Sequence, residues 1–428
     1  MSQKQRFEET ARVTALPNGV RVVSDHMPGF SSTVLGVWFG AGSRHERPEQ
    51  NGVAHFLEHM AFKGTSRRSA QAIAEEIESV GGELNAYTSL EATAYYARVL
   101  KEDTGLAFDI LADILRDPLF QAEDVELERG VILQEIGGAR DTPDELIFDW
   151  AQEVGFPDQP IGRAILGSTE NVSGFDRDAL SGFMAERYGP DRLVVSAAGA
   201  VDHDALVALA ERAFGDLRPR PDLGAQPSAY RGGERREIKD LEQAHVVLGF
   251  AAPGYGNDDY LTAQAYATLL GGGLSSRLFQ EVREKRGLCY TIYAHPSHYA
   301  DGGFLTVYAG CGGEDVAELL DVSADQLKDL ASNVSEDELD RAKAQLRAST
   351  LMGLEAPFAR AERAARNLLN FGRIRPVDEV LATLDAINRA GLRDFAASLL
   401  RDHPPTLALY GPVAGAPAYD ALRERLAA

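Results

Sequence analysis

Apolar residues along the chain keep two rhythms, and the changes from one to the other divide it into elements. Residues 12–23 alternate on either side of Leu16-Pro17-Asn18-Gly19, where Asn-Gly supplies a positive-φ turn, so a hairpin is expected there. Residues 33–39 form a mostly apolar strand, broken by Gly40-Ala41-Gly42-Ser43. After Gly52 the period becomes 3.6. Val53, Phe56, Leu57 and Met60 fall on one side of a helix closed by Gly64, and His55, Glu58, His59 and Phe62 fall on the other. Ile73, Ile77 and Val80 mark a second helix over 69–80, ended by Gly81-Gly82. Strands are expected at 84–89 and 92–100. A helical pattern follows from Thr104 to Ile136, stopped at Asp117-Pro118 and restarted near Ala122. A strand at 192–199 and a helix at 203–214 complete the first half.

Residues 216–235 are rich in Pro, Gly and Arg and read as a linker, which divides the chain into domains 1–215 and 236–428. The second half repeats the order of the first: strand 245–250, helix 260–270, helix 276–286 closed by Gly287, strands 290–294 and 303–309, helix 336–354, strand 406–410. The repeat lies in element order rather than in letters, and implies a duplication. The expected fold class is α+β: two similar domains, each a mostly antiparallel β-sheet packed with α-helices. The two histidines do not recur; Leu269-Leu270-Gly271-Gly272-Gly273 stands roughly in their place.

Composition narrows the function. A length of 428 residues suits two cores, and 44% hydrophobic with 25% charged residues describes a soluble globular protein. No run of about 20 apolar residues exists, so no membrane span is expected. The first ten residues carry acids and no apolar core of a signal, which makes the cytoplasm the expected address. Cys289 and Cys311 are too few for a disulfide scaffold and lack Cys-x-x-Cys spacing; both are expected reduced, in or beside strands. A net charge of −22 disfavours nucleic acid. It serves solubility, or a cationic partner if the acids line a cavity.

The chemistry is written on the helix after Gly52. Imidazoles at i and i+4 stand one turn apart and can share one metal ion, with the carboxylate at i+3 beside them. A single histidine there would more often hydrogen-bond in a polar core; two with a glutamate, opposite an apolar stripe, favour a metal. A catalytic zinc usually takes three protein ligands, so a partner is needed. The helical stretch 126–136 offers Glu128 and Glu135, seven residues and about 20° apart on the helix wheel. Only one of them can reach the metal; the other would stand behind it.

His55-Phe56-Leu57-Glu58-His59-Met60-Ala61-Phe62-Lys63-Gly64-Thr65, followed 76 residues after His59 by Glu135, resembles the pitrilysin-type inverzincins, and among them the β subunit of mitochondrial processing peptidase and its bacterial homologues. The likeness runs along nearly the whole chain. It implies one zinc per chain held by His55, His59 and Glu135, with Glu128 supporting them and Glu58 as the base that takes a proton from water and passes it to the leaving amine. It also implies a peptide substrate added as a strand to Asn85-Ala86-Tyr87, with Phe62 walling an apolar pocket just past the cut bond.

The same resemblance gives Glu145 and Asp149, at i and i+4, the role of receiving an arginine two positions before the cut. Thr142-Pro143-Asp144-Glu145 also reads as a capping box, which would occupy Glu145 structurally. Arg283 and Tyr290 match a pair that approaches substrate and oxyanion from an opposite wall. Larger family members hold both walls in one chain of about twice this length. The implied partner is therefore a second copy, in a homodimer that closes a chamber, or a metal-free sister subunit in a heterodimer. The competing reading is a non-catalytic relative, such as the core subunits of the respiratory bc complex; those usually lack part of the ligand set, which is whole here.

Overall fold

The computed structural model describes residues 10–221 and 223–427; Asp222, inside the expected linker, lies outside them. The first sheet contains β1 (Ala11–Ala15), β2 (Arg21–His26), β3 (Ser32–Phe39), β4 (Glu83–Thr88), β5 (Thr93–Leu100) and β6 (Leu193–Gly199), in the order β1-β2-β6-β3-β5-β4. The second contains β7 (Gly233–Ile238), β8 (Ala244–Ala252), β9 (Cys289–His298), β10 (Gly303–Cys311) and β11 (Thr406–Gly411), in the order β7-β11-β8-β10-β9. Without β1 the two orders coincide. So do the directions: β2/β6 and β7/β11 are parallel, and every other pair is antiparallel. The fold is α+β with two similar domains, as the repeated element order implies.

In chain order the helices are α1 (Val53–Met60), α2 (Ala70–Ser79), α3 (Thr104–Arg116), α4 (Ala122–Arg140), α5 (Pro143–Gly155), α6 (Thr169–Gly174), α7 (Arg177–Arg187), α8 (His203–Phe214), α9 (Tyr260–Gly271), α10 (Val316–Ser332), α11 (Glu336–Gly353), α12 (Pro357–Phe371), α13 (Val377–Ala386), α14 (Arg389–Arg401) and α15 (Tyr419–Ala427). Contacts gather the chain into two units. One holds the residues up to Gly137 with Arg163–Gln226 and Leu351–Val377; the other holds Gly138–Gly162, Pro227–Thr350 and the residues from Asp378 on. The halves thus trade a helix each: α5 packs on β8 and β11, and α12 on β2, β3 and β6.

In the first unit α12 makes β3 apolar throughout. Val34 and Trp38 pack against Ala361, Ala364, Ala365 and Leu368 of α12, while Leu35, Val37 and Phe39 face the core shared with α1 and α3. A strand covered on both faces loses its polar alternation.

Three features differ from the sequence expectations. Gly233–Ile238, which begins inside the expected linker and runs past its end, is a strand; its Gly-Glu-Arg-Arg-Glu-Ile carries no apolar alternation because it lies at a sheet edge, paired among the described strands with β11 alone. The expected helix 276–286 is π-helical over Phe279–Glu284, where the Lys285 amide donates to Gln280 O at 3.0 Å. Thr142 forms no capping box: its hydroxyl donates to Gly138 O at 2.8 Å, and Pro143 alone opens α5. Both cysteines are free and buried, in register on β9 and β10, with thiols pushed up by burial to about 11 and about 12. No helix among the described residues is long and apolar enough to cross a membrane.

Candidate metal centre

Helix α1 starts at Gly52, whose φ of 102° only glycine adopts readily and which has no side chain to cap the helix. A residue that the sequence patterns did not single out replaces that cap. The buried Glu46 carboxylate accepts from Ala54 N at 2.8 Å through one oxygen, and from Gly52 N at 3.0 Å and Asn51 Nδ2 at 3.2 Å through the other. Burial pushes the Glu46 carboxyl up to about 7, although the Ala54 and Gly52 amides and Asn51 oppose the rise. The only signal in the sequence was indirect: a helix that starts on glycine leaves its first amides to a distant acceptor.

Val53, Phe56, Leu57 and Met60 are buried, so the expected apolar stripe of α1 is the packing face. The other face points His55 Nε2 and His59 Nε2 at one carboxylate oxygen of Glu135, each 3.6 Å from it. These three ligand atoms lie within 4.8 Å of one another. Tetrahedral zinc, with bonds of about 2.0–2.2 Å, sets its ligands roughly 3.4 Å apart, so the donor set and its spacing fit that ion.

Glu128 explains how α4 serves the site. It occupies the buried stripe Val125, Glu128, Ile132 and Ile136, which fixes the helix and leaves Glu135 exposed beside the histidines. Glu128 Oε2 lies 3.1 Å from His59 Nδ1, and Oε1 lies 2.5 Å from Lys63 Nζ. With Nδ1–H donating to Glu128, His59 presents a bare Nε2 to a metal. Lys63 had no role in the sequence reading. Replacing Glu128 by Gln should weaken zinc affinity about 10–100-fold, measured by competition with a chromogenic chelator. An unchanged affinity would mean that the hydrogen bond does not orient the ring.

His55 is pushed down to about 4 by burial and by neighbouring His59, which keeps it in the neutral, metal-binding form. Burial raises the Glu58 carboxyl, helped by Glu135 and opposed by hydrogen bonds from Thr88 at the end of β4 and by His59. Among the described residues, two buried atoms here lack a hydrogen-bond partner: His55 Nδ1 and Glu58 Oε2. A carboxylate oxygen left bare beside these residues has a lone pair free to accept a hydrogen bond or a proton.

Phe62 stands just beyond the end of α1, which closes at Met60 rather than at Gly64. With Ile73, Ile77, Leu84 and Asn85 it lines a cavity of about 650 Å³ along β4. β4 is an outer strand of its sheet. Asn85 Oδ1 accepts from Ala86 N at 2.8 Å, so an incoming strand would have to displace that amide to reach the Ala86 donor. The Tyr87 hydroxyl donates to Glu362 at 2.9 Å and accepts from Trp38 Nε1 at 3.2 Å. That side chain is anchored under α12, leaving only backbone for a peptide.

The remaining sequence-derived residues belong to the second unit. Glu145 and Asp149 share one face of α5; Asp149 is pushed up to about 6 by burial, then by Glu145 and Glu153. The Arg283 guanidinium carbon sits 4.8 Å from the centroid of the exposed Tyr290 ring and 4.6 Å from that of Phe279. The pair singled out in the sequence is therefore in contact, stacked rather than scattered.

Comparison with known proteins identifies the family. The family model described as Insulinase (Peptidase family M16) matches residues 21–169, and that described as Peptidase M16 inactive domain matches residues 174–346. The chain is 41% identical over 414 residues to an uncharacterized zinc protease of Streptomyces coelicolor, covering 94% of this chain and 90% of that one. It is 36% identical over 402 residues to the uncharacterized zinc protease YmxG of Bacillus subtilis, covering 94% and 98%. Among solved structures, a protease from Helicobacter pylori superposes with a TM-score of 0.88 at 21% identity, over 94% of this chain and 99% of that one. A chain of complex III2 from Candida albicans gives 0.86 at 21% identity, over 97% and 99%; at such identities the likeness is one of fold. The chain belongs to peptidase family M16.

Proposed function

We propose that this protein is a zinc-dependent endopeptidase that hydrolyses extended, presequence-like peptides. The observation that carries the reading is the convergence of His55 Nε2, His59 Nε2 and Glu135 Oε2 beside the unpartnered Glu58 Oε2. Bound zinc would polarise the scissile carbonyl and bring the pKa of water down towards ~7. Glu58 then accepts the water proton and delivers it to the leaving amine. The outer edge of β4 holds the peptide backbone, and the cavity behind Phe62 takes the side chain just past the cut.

Domain 1–215 supplies the zinc chemistry, domain 236–428 supplies Arg283 and Tyr290, and Glu145 with Asp149 receive an arginine two positions before the cut. Two chains close one chamber, in the cytoplasm, as a homodimer or with a metal-free sister. The first experiment measures zinc per chain and cleavage of quenched peptides. About one zinc and chelator-sensitive cleavage are expected; zinc with no cleavage across varied peptides would favour a structural subunit. Within the same library, equal cleavage with Ala in place of the arginine would remove the Glu145–Asp149 assignment.

The chamber has its own test. Mixing Glu58→Gln chains with Tyr290→Phe chains should restore activity by pairing one chain's intact zinc side with the other's intact Tyr290. No recovery despite demonstrated subunit exchange would show that each chain works alone.

A further inference from the structure

The first unit holds a second cavity, of about 330 Å³, that the peptidase reading does not use. Its floor is aromatic and aliphatic: Phe39, Phe120, Tyr188, Leu193 and Phe214 are all at least nine-tenths buried. Phe39 and Tyr188 stack with centroids 3.8 Å apart. The Tyr188 hydroxyl lies 3.2 Å from the Tyr95 hydroxyl, so the polar end of the ring is already engaged. Phe120 adopts φ 47°, a left-handed backbone that a bulky residue rarely takes, and its ring is held in the cavity wall.

The mouth is cationic in a chain of net charge −22. Arg116, Arg177 and Arg220 line it. Arg116 is held by Asp216 at 2.7 Å. The guanidinium groups of Arg177 and Arg220 are exposed and make no hydrogen bond or ion pair among the described residues. The one acid in the lining, Asp117, accepts a hydrogen bond from the Ser66 hydroxyl. An apolar floor of ligand-pocket size beneath two unengaged guanidiniums has the complement of an alkyl chain ending in a carboxylate.

The geometry points to a binding site for a single-chain carboxylate amphiphile, its chain on the Phe39–Tyr188 floor and its carboxylate between Arg177 and Arg220. The site is separate from peptide cleavage, so its failure would leave the peptidase reading untouched, and the reverse.

Equilibrium dialysis of labelled decanoate against the full chain tests it. Saturable binding of one decanoate per chain is expected, at least tenfold weaker for the Arg177→Glu/Arg220→Glu chain and at least tenfold weaker for decanol. Met184→Trp, which places an indole in the cavity lining, should abolish binding. If that variant misfolds by circular dichroism, the charge reversals at two exposed positions still decide the matter. Non-saturable uptake, equal affinity in the charge-reversed chain, or equal affinity for decanol would overturn the proposal. So would arginine-dependent binding to phosphatidylglycerol vesicles without binding of free decanoate, since the occupant would then be a membrane surface.

Discussion

Glu58→Gln is expected to lower kcat on a quenched peptide by about 1,000-fold while leaving one zinc per chain in place. Gln keeps the shape of the side chain and can keep the contact with Thr88, but it cannot take a proton. The ligand atoms belong to His55, His59 and Glu135, and Glu58 is not among them, so the metal should stay. The carboxylate oxygen that lacks any partner, Oε2, is the atom the mechanism uses. Two measurements on one preparation decide it: kcat, and bound zinc by atomic absorption. A loss of less than tenfold would give the proton transfer to another group, and loss of zinc together with activity would make Glu58 a ligand.

The reason Glu58 could be found in the sequence is geometric. Four apolar side chains on one side, and two histidines with Glu58 on the other, segregate cleanly over eight residues of α1. Glu128 and Glu135 were legible as a pair for the same reason, being two turns apart on α4. Their separate roles depend on depth. Glu128 falls in the apolar stripe with Val125, Ile132 and Ile136, whereas Glu135 falls just off it and stays exposed.

What the sequence hid was whatever depends on a distant partner. The order of elements implied a duplication, and the two sheets have it, strand for strand once β1 is set aside. Order does not say which sheet a helix covers, so the packing of α5 on β8 and β11, and of α12 across β2, β3 and β6, could not be read from it. Tyr87 illustrates the cost. The resemblance offers it as part of a strand that a peptide joins, and Glu362 of α12, far along the chain, binds its hydroxyl and leaves only the backbone free. Edge strand β7 was hidden for another reason: its Glu and Arg residues satisfy solvent, and no apolar face is required of it.

Glu46 is the other residue from which a large effect is expected, this time on stability and with a defined sign in pH. Its carboxyl is raised from the usual glutamate value of about 4.5 to about 7, burial outweighing the Ala54 and Gly52 amides and Asn51. Between about pH 4.5 and 7 the folded chain therefore holds a proton that the unfolded chain has released. The Glu46 contribution to stability should fall as pH rises through that window and level off above it, by an amount on the order of 3 kcal/mol. Glu46→Gln removes the titration. At pH 5 the variant should be the weaker protein, since its amide sets an N–H₂ among three donors, a loss of about 1–3 kcal/mol. Towards pH 8 the gap should close or reverse, because only the native chain then carries a buried charge. Urea unfolding of both chains at pH 5 and pH 8, after chelator treatment so that metal does not enter the linkage, measures the difference directly. A difference that stays constant between the two pH values would place the Glu46 carboxyl in its ordinary range. The α1 amides would then hold it ionised at no net cost, like a helix cap at the surface.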